Sequence, residues 1–274
     1  MPELPEVESV RCALEGDLRG ARIRAAQLSD MSVAAHPDAQ ALCRAIAGRT
    51  ILALRRRGKF LVAPLDDGAR LAIHLRMTGR LLLACAGEPL EAHTRATLVL
   101  QGGRELRFVD ARRFGRLWLL RAGETDVFTG MERLGPEPDA AQMDAAYLRA
   151  ACGRSRRALK TCLLDQSVVA GVGNIYSDEI LFEAGLRPDR PACTLNDEEW
   201  ARLARCVTGV MRFFTQKNLV TAEEYRKTEG REYRNTPWLR LYGRAGAPCP
   251  RCGRPLARIV LAGRSSVFCP DCQT

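Results

Sequence analysis

Val7, Val10, Leu14 and Leu18 recur at helical spacing and predict an amphipathic helix over about residues 5–18. Pro5 is tolerated in the first turn of such a helix, and acidic residues there suit its dipole. The first 120 residues otherwise read mainly as strands, near 51–54, 60–65, 70–77, 80–83, 97–100, 105–109 and 116–120. In one of them Leu71, Ile73, Leu75 and Met77 alternate with Arg70, Ala72, His74 and Arg76, which places His74 and Arg76 on one polar side. From about 140 to 216 the period turns helical. Trp200, Leu203, Val207, Val210, Met211 and Phe214 form one stripe, and Asn196 with Glu199 supplies its capping box. Before it, two helices are joined by the turn Gly171-Val172-Gly173, with Asn174 opening the second at a point suited to a phosphate. A dinucleotide fingerprint is excluded, because Tyr176 stands where the third glycine is needed and no βαβ unit surrounds it.

Charge adds a partner to this pattern. The 274 residues carry a formal net charge of +10, which points to an anionic partner, nucleic acid being the commonest. The charge is clustered: eight arginines and only Glu232 among the acids lie between Arg231 and Arg264, and Arg154, Arg156, Arg157 and Lys160 form a second group. The chain is long enough to bury a sizeable core and to form two domains plus a smaller module. No apolar run spans a bilayer and residues 1–20 lack the apolar segment of a signal peptide, so the expected location is the cytoplasm.

Cysteine spacing adds a metal. Cys12, Cys43, Cys85, Cys152, Cys162, Cys193 and Cys206 stand singly and read as reduced small hydrophobes. Cys249, Cys252, Cys269 and Cys272 form two C-x2-C knuckles sixteen residues apart, the arrangement that offers four thiolates to one structural zinc. Between the knuckles, residues 258–268 read as a hairpin turning at Ala262-Gly263, with Arg264 at its tip.

The chain start carries candidate chemistry. Once Met1 is removed, Pro2 offers a secondary amine that can attack an electrophilic carbon, and the Glu3 carboxyl beside it can move protons. The plainer alternative is that both residues simply start the helix. After a strand, Asp110-Ala111-Arg112-Arg113-Phe114-Gly115 mixes guanidinium groups with an aromatic ring, a composition suited to probing bases.

Pro2-Glu3-Leu4-Pro5-Glu6-Val7-Glu8, Arg56-Arg57-Gly58-Lys59, His74-Leu75-Arg76-Met77, residues 110–115, Leu134-Gly135-Pro136-Glu137-Pro138, Gly171-Val172-Gly173-Asn174-Ile175-Tyr176 and the four-cysteine module together resemble bacterial formamidopyrimidine-DNA glycosylase, whose sister family is endonuclease VIII. The resemblance runs in order from residue 1 to residue 272. It implies an α+β chain: an N-terminal β-sandwich with flanking helices over 1–130, a helix-two-turn-helix domain over 131–220, and a lesion-loop segment with the zinc finger over 221–274. It further implies a monomeric base-excision enzyme of the bacterial cytoplasm, nucleoid-associated when bound, acting on double-stranded DNA with a damaged base flipped from the stack.

Site roles follow from the same resemblance. Pro2 is the implied nucleophile and Glu3 the catalytic acid, with Lys59 and Arg264 in the catalytic set and Glu6 as a supporting carboxylate. His74, Asn174, Tyr242 and Arg264 match phosphate-binding positions, and His93 and Lys160 join the DNA-binding set. Met77, Arg112 and Phe114 match the trio that fills the void left by the flipped base. The loop over that base departs from the family: residues 216–237 are charged and hold a single glycine, Gly230. The trio favours oxidised purines, the loop leaves room for pyrimidine lesions in the manner of endonuclease VIII, and a DNA-binding protein without turnover is the rival from another class.

Overall fold

Helix α1 (Leu4–Leu18) begins with Glu3 as its N-cap and buries Val7, Val10, Leu14 and Leu18, the stripe that its spacing predicts. It belongs to a computed structural model that describes residues 2–230 and 234–274. The chain divides into one unit of Met1–Glu132 with Asn218–Tyr233 and another of Arg133–Lys217 with Arg234–Thr274. Among the described residues no helix is long and apolar enough to cross a membrane.

In the first unit, β1 (Ile23–Leu28), β2 (Ala34–His36), α2 (Ala39–Ile46), β3 (Arg55–Arg57), β4 (Phe60–Pro64), β5 (Arg70–His74), β6 (Arg80–Cys85), β7 (Thr94–Leu100), β8 (Arg104–Val109) and β9 (Arg116–Leu120) follow α1. They form a four-stranded sheet in the order β1-β7-β8-β6 and a five-stranded sheet in the order β2-β9-β5-β4-β3. Leu98, Leu106 and Phe108 of the first sheet share one buried cluster with Leu61, Leu71, Ile73 and Leu117 of the second and with Val7, Val10 and Leu14 of α1. Burial of that shared apolar face is the main force holding the sandwich together.

Two expected strands end differently. No strand forms over 51–54, where only Ile51 bridges to Leu65, because the Leu54 N–H is taken by the Glu15 carboxylate of α1 at 2.7 Å. The strand expected to reach residue 77 stops at His74. Arg76 has φ +56° and the Gly79 N–H closes back on the Leu75 carbonyl at 2.9 Å, a turn that lifts Met77 off the sheet. Gly79 is required there, since a Cβ would sit 2.4 Å from that carbonyl oxygen.

The second unit holds α3 (Ala145–Cys152), α4 (Leu159–Leu164), α5 (Asn174–Ala184) and all but the last residue of α6 (Asp197–Asn218). The α6 stripe is buried as predicted, and Asn196 and Glu199 exchange their two capping bonds at 2.9 Å each. Helix α7 (Ala222–Lys227) returns to the first unit, and strands β10 (Ala257–Leu261) and β11 (Arg264–Phe268) complete the second. Their hairpin turns at Ala262 (φ +47°) and Gly263 (φ +73°), the two positive φ values of the tight turn that matches strand twist.

The segment expected as a loop over 216–237 is partly helical. Thr221 and Glu224 form a capping box for α7, and the buried Tyr225 donates its hydroxyl to the Leu81 carbonyl at 2.8 Å. Gly230 lies against that ring so closely that a Cβ would meet the hydroxyl at 2.6 Å. Arg231, Glu232 and Tyr233 of this segment lie outside the described residues, as does Met1.

Candidate active site and nucleic-acid interface

Pro2 is buried immediately ahead of α1, and Glu3 and Glu6 are both fully buried. Glu3 and Glu6 form a capping box in which the Glu6 carboxylate accepts the Glu3 N–H at 2.8 Å. A helix N-terminus carries unpaired N–H groups and partial positive charge, so two buried carboxylates are stabilised there. Glu6 therefore holds the backbone on which Pro2 and Glu3 sit.

Lys59 lies half-buried in the two-residue turn between β3 and β4, where Gly58 adopts φ +55°. That hairpin is tied to α1: the Arg56 Nε donates to Glu8 Oε2 at 2.9 Å, and a second guanidinium nitrogen donates to the Gly58 carbonyl at 3.2 Å. His74 lies opposite Phe60 in the β4–β5 register, ring edge to ring face at 4.6 Å. Burial, then the charges of Arg76 and Lys59, push its pKa down to about 3. Its Nδ1 accepts the Arg76 N–H at 3.0 Å, so the neutral ring carries its proton on Nε2 and can donate one uncharged hydrogen bond.

The β5–β6 and β8–β9 loops are joined by the Thr78 hydroxyl, which donates to the buried Asp110 carboxylate. Asp110 also accepts the Arg112 N–H at 3.2 Å and the Gly115 N–H at 2.7 Å. Gly115 is needed for this return, as a Cβ would sit 2.3 Å from Phe108. The loops present Met77 (41% exposed) and Phe114 (46% exposed), with the Arg112 guanidinium 4.7 Å above the Phe114 ring. Exposed apolar side chains on hydrogen-bonded loops are suited to insertion between bases. Met77 and the exposed His93 line one cavity of about 330 Å³ with Thr78 and Ala111.

In the second unit, Gln166 clamps the glycine turn, accepting the Gly171 N–H at 3.0 Å and donating to the Val172 carbonyl at 2.7 Å. Gly173 caps α5, and Asn174 is its first residue. The Asn174 side-chain oxygen is buried without a partner among the described residues. Tyr242 is 47% exposed. Arg264 is exposed beside the β10–β11 turn, and its side chain has no hydrogen-bond or ion-pair partner among the described residues.

Lys160 is not part of a basic surface. It is fully buried, with its ammonium on Asp178 at 2.8 Å and on the Ser265 carbonyl at 2.9 Å. A buried ammonium must be paired, and this one joins α4 and α5 to β11 instead of meeting a phosphate. Three of the C-terminal arginines are likewise ion-paired within the fold: Arg240 with Glu179 and Glu183, Arg251 with Glu183, Arg254 with Asp271.

The sulfur atoms of Cys249, Cys252, Cys269 and Cys272 all lie within 4.8 Å of one another. Cys249 and Cys272 are 3.9 Å apart and Cys252 and Cys269 3.5 Å. Four thiolates at about 2.3 Å from a tetrahedral zinc stand roughly 3.8 Å apart, so the donor set fits the metal. N–H groups of Arg251 and Cys272 point at Cys249 and Cys269 sulfur, each at 3.4 Å, as thiolate charge requires.

The profile of the formamidopyrimidine-DNA glycosylase N-terminal domain matches residues 1–117, that of the formamidopyrimidine-DNA glycosylase H2TH domain residues 134–221, and that of the zinc finger found in FPG and IleRS residues 246–274. The chain is 46% identical over 259 residues to the formamidopyrimidine-DNA glycosylase of Moorella thermoacetica, covering 94% of each. The chain belongs to the formamidopyrimidine-DNA glycosylase family. A second relative, from Desulforamulus reducens, is 42% identical over 100% of this chain and 99% of its own. Among solved structures, Lactococcus lactis Fpg in complex with DNA containing an abasic site matches with a TM-score of 0.91 at 31% identity over 99% of both chains. MutM (FPG) from Thermus thermophilus matches at 0.87 and 41% identity over 99% of this chain and 98% of its own. As a family member the chain is a base-excision DNA glycosylase and abasic-site lyase with one structural zinc.

Several structural roles that shape the glycosylase escape sequence reading. Asp110 and Thr78 set the reading loops, Gln166 sets the glycine turn, and Asp178 and Glu179 hold the finger module. Asp178 accepts from Ser266 at 2.6 Å and from the Val267 N–H at 3.1 Å, and Glu179 accepts the N–H groups of Arg240 and Leu241 at 3.0 and 2.9 Å. Thr221-x-x-Glu224 is the one local signal that could have revealed α7.

Proposed function

We propose that this glycosylase removes oxidised purines, 8-oxoguanine and formamidopyrimidines, from duplex DNA and cuts the strand by β- and then δ-elimination, with Pro2 as nucleophile. The observation that carries the reading is the buried Pro2-Glu3 pair set at the start of a helix by Glu6. With Met1 removed, the Pro2 nitrogen lone pair attacks C1′ of the flipped nucleotide, the glycosidic bond breaks, and the base leaves with a proton. Glu3 gives a proton to the ring oxygen as the sugar opens, which leaves an iminium between Pro2 and C1′. The positive nitrogen acidifies the C2′ hydrogen. Its removal expels the 3′ phosphate, a further elimination expels the 5′ phosphate, and hydrolysis of the iminium frees Pro2.

The remaining roles are assigned on chemistry. Lys59 and Arg264 place charge against the sugar and backbone, and His74, Asn174 and Tyr242 hold phosphates by uncharged hydrogen bonds. His93 contacts DNA beside Met77. Met77, Arg112 and Phe114 fill the vacated space, with Arg112 bonding the orphaned base. The enzyme works as a monomer in the bacterial cytoplasm, on the nucleoid when bound. Its parts are a catalytic domain over 1–130, a helix-two-turn-helix domain over 131–220 and a loop-and-finger region over 221–274.

Borohydride reduction during reaction with 8-oxoguanine duplex tests the central step. It should leave DNA covalently on Pro2, located by peptide mass, and Pro2→Gly should weaken the adduct. Glu3→Gln should slow base release with DNA affinity kept. Attachment through Lys59 with Pro2 unmodified, or a protein that retains Met1 and traps nothing, would overturn the assignment.

A further inference from the structure

Helix α6 presents Cys206, Gly209, Val210 and Phe213 along one face, spaced i, i+3, i+4 and i+7, to a groove of about 610 Å³ whose other wall includes Pro237 and Trp238. Seven residues of helix span about 10 Å, the length of about three extended residues. Phe213 and Trp238 are 40% and 47% exposed and meet edge to face at 5.9 Å. A contiguous exposed aromatic patch rimmed by charged residues has the composition of an interaction surface.

Gly209 points the same way. It sits inside a helix, where glycine is unfavourable, yet a Cβ there would meet nothing within 4 Å. The packing of the fold does not require a glycine at this position, and what its absent side chain leaves is space in the groove. Charge then selects the occupant. Arg205, Arg240 and Arg244 line the groove against one carboxylate, Glu183, which is already taken by Arg240 at 2.5 Å and Arg251 at 2.9 Å. Arg205 and Arg244 have no carboxylate partner among the described residues, and at the aromatic end the Lys217 ammonium stands 4.2 Å from the Trp238 ring centre.

We propose that this groove docks an acidic peptide segment of a protein partner, with one large apolar side chain against Phe213 and Trp238 and carboxylates on Arg205 and Arg244. The function is separate from DNA cleavage and recruits the glycosylase through an apolar anchor with a charged flank.

The probe is a fluorescein-labelled hexapeptide of four aspartates followed by leucine and phenylalanine, titrated into the zinc-loaded full chain and followed by anisotropy. Saturable binding is expected, weakened at least tenfold by Gly209→Leu, which fills the groove and favours the helix, and by Arg205→Glu. Both variants should keep wild-type excision of 8-oxoguanine, which separates this site from the reading of Pro2. A peptide with lysines in place of the aspartates should not bind. Equal binding by Gly209→Leu, no binding of the acidic peptide, or saturation by deoxyguanosine monophosphate in its place would each overturn the proposal.

Discussion

Glu8 and Arg56 form a largely buried ion pair, Oε2 to Nε at 2.9 Å, that fastens the helix begun by Pro2-Glu3 to the hairpin that carries Lys59. Burial raises the Glu8 carboxyl, but bonds from Arg11 and Arg56 outweigh it and hold the group below the usual carboxylate range. The stability it contributes is therefore present above the unfolded pKa and lost as pH falls through the lower folded one. Arg56→Ala should cost on the order of 1 kcal/mol in urea unfolding, because Glu8 Oε2 loses its partner while Arg11 still holds Oε1 at 2.7 Å. Single-turnover excision should slow several-fold while DNA affinity stays near wild type, the pattern of a misplaced Lys59 and not of a lost contact.

His74 gives a pH signature of the opposite chemical origin. Its folded pKa of about 3 lies below the ordinary value of 6.5, so between these limits the unfolded chain binds a proton that the folded chain refuses. Stability should rise with pH across that window, by at most about 1.4 kcal/mol per unit from this group, and show no contribution above it. Subtracting the curve of His74→Gln from that of the wild type isolates the term. A wild-type chain with no excess loss between pH 6.5 and 4 would contradict a buried neutral ring.

The neutral ring also separates His74 from Arg264 in DNA binding. Arg264→Ala should lower the salt slope of duplex affinity by about one and leave zinc content unchanged, whereas His74→Gln should weaken binding at constant slope. Cys249→Ala or chelation should abolish duplex binding, because a finger this small depends on its metal to fold. Atomic absorption together with affinity over a salt series checks all three variants.

Arg112 should set the opposite-base preference. Its backbone N–H is fixed by Asp110 and Thr78 and its guanidinium lies over Phe114, so it meets the orphaned base from a constrained position. Cytosine offers acceptors to that group and adenine offers a donor, a mismatch worth on the order of 1–3 kcal/mol in a desolvated site. Excision of 8-oxoguanine should be roughly tenfold or more faster opposite cytosine than opposite adenine, and Arg112→Ala should lose most of the difference. Single-turnover rates on matched duplexes decide it, and faster release of oxidised pyrimidines would move the chain toward the endonuclease VIII reading.

What could be read from sequence was written in short-range spacing. The α1 stripe, the Asn196–Glu199 cap, the turn at Ala262-Gly263 and the four cysteines each depend on residues close together in the chain, and each forms as expected. Strand β1, with two alanines in Ile23–Leu28, carries too weak a pattern to stand out before the sheet pairs it, whereas α2 has a readable Asp38 cap and an Ala39-Leu42-Ile46 stripe in only eight residues. Lys160 looks like basic surface in the sequence for a different reason: its partners, Asp178 and the Ser265 carbonyl, lie 18 and 105 residues away, so nothing local marks it as interior. The candidate roles of Met77 and Arg112 came from family resemblance, but the Thr78–Asp110 bond that orders their loops is a long-range contact which spacing does not reveal.

Asp178 and Glu179 are neighbours on α5, and one holds the β10–β11 hairpin while the other holds the chain leading to it. The helix and the finger are thus expected to open as a single cooperative unit. Amide hydrogen exchange should show α5 losing protection together with residues 257–268 when zinc is withdrawn, while α6 keeps its own. Loss of the metal then reaches Asn174 at the head of α5, so the metal would govern the phosphate grip of the glycine turn as well as that of the finger.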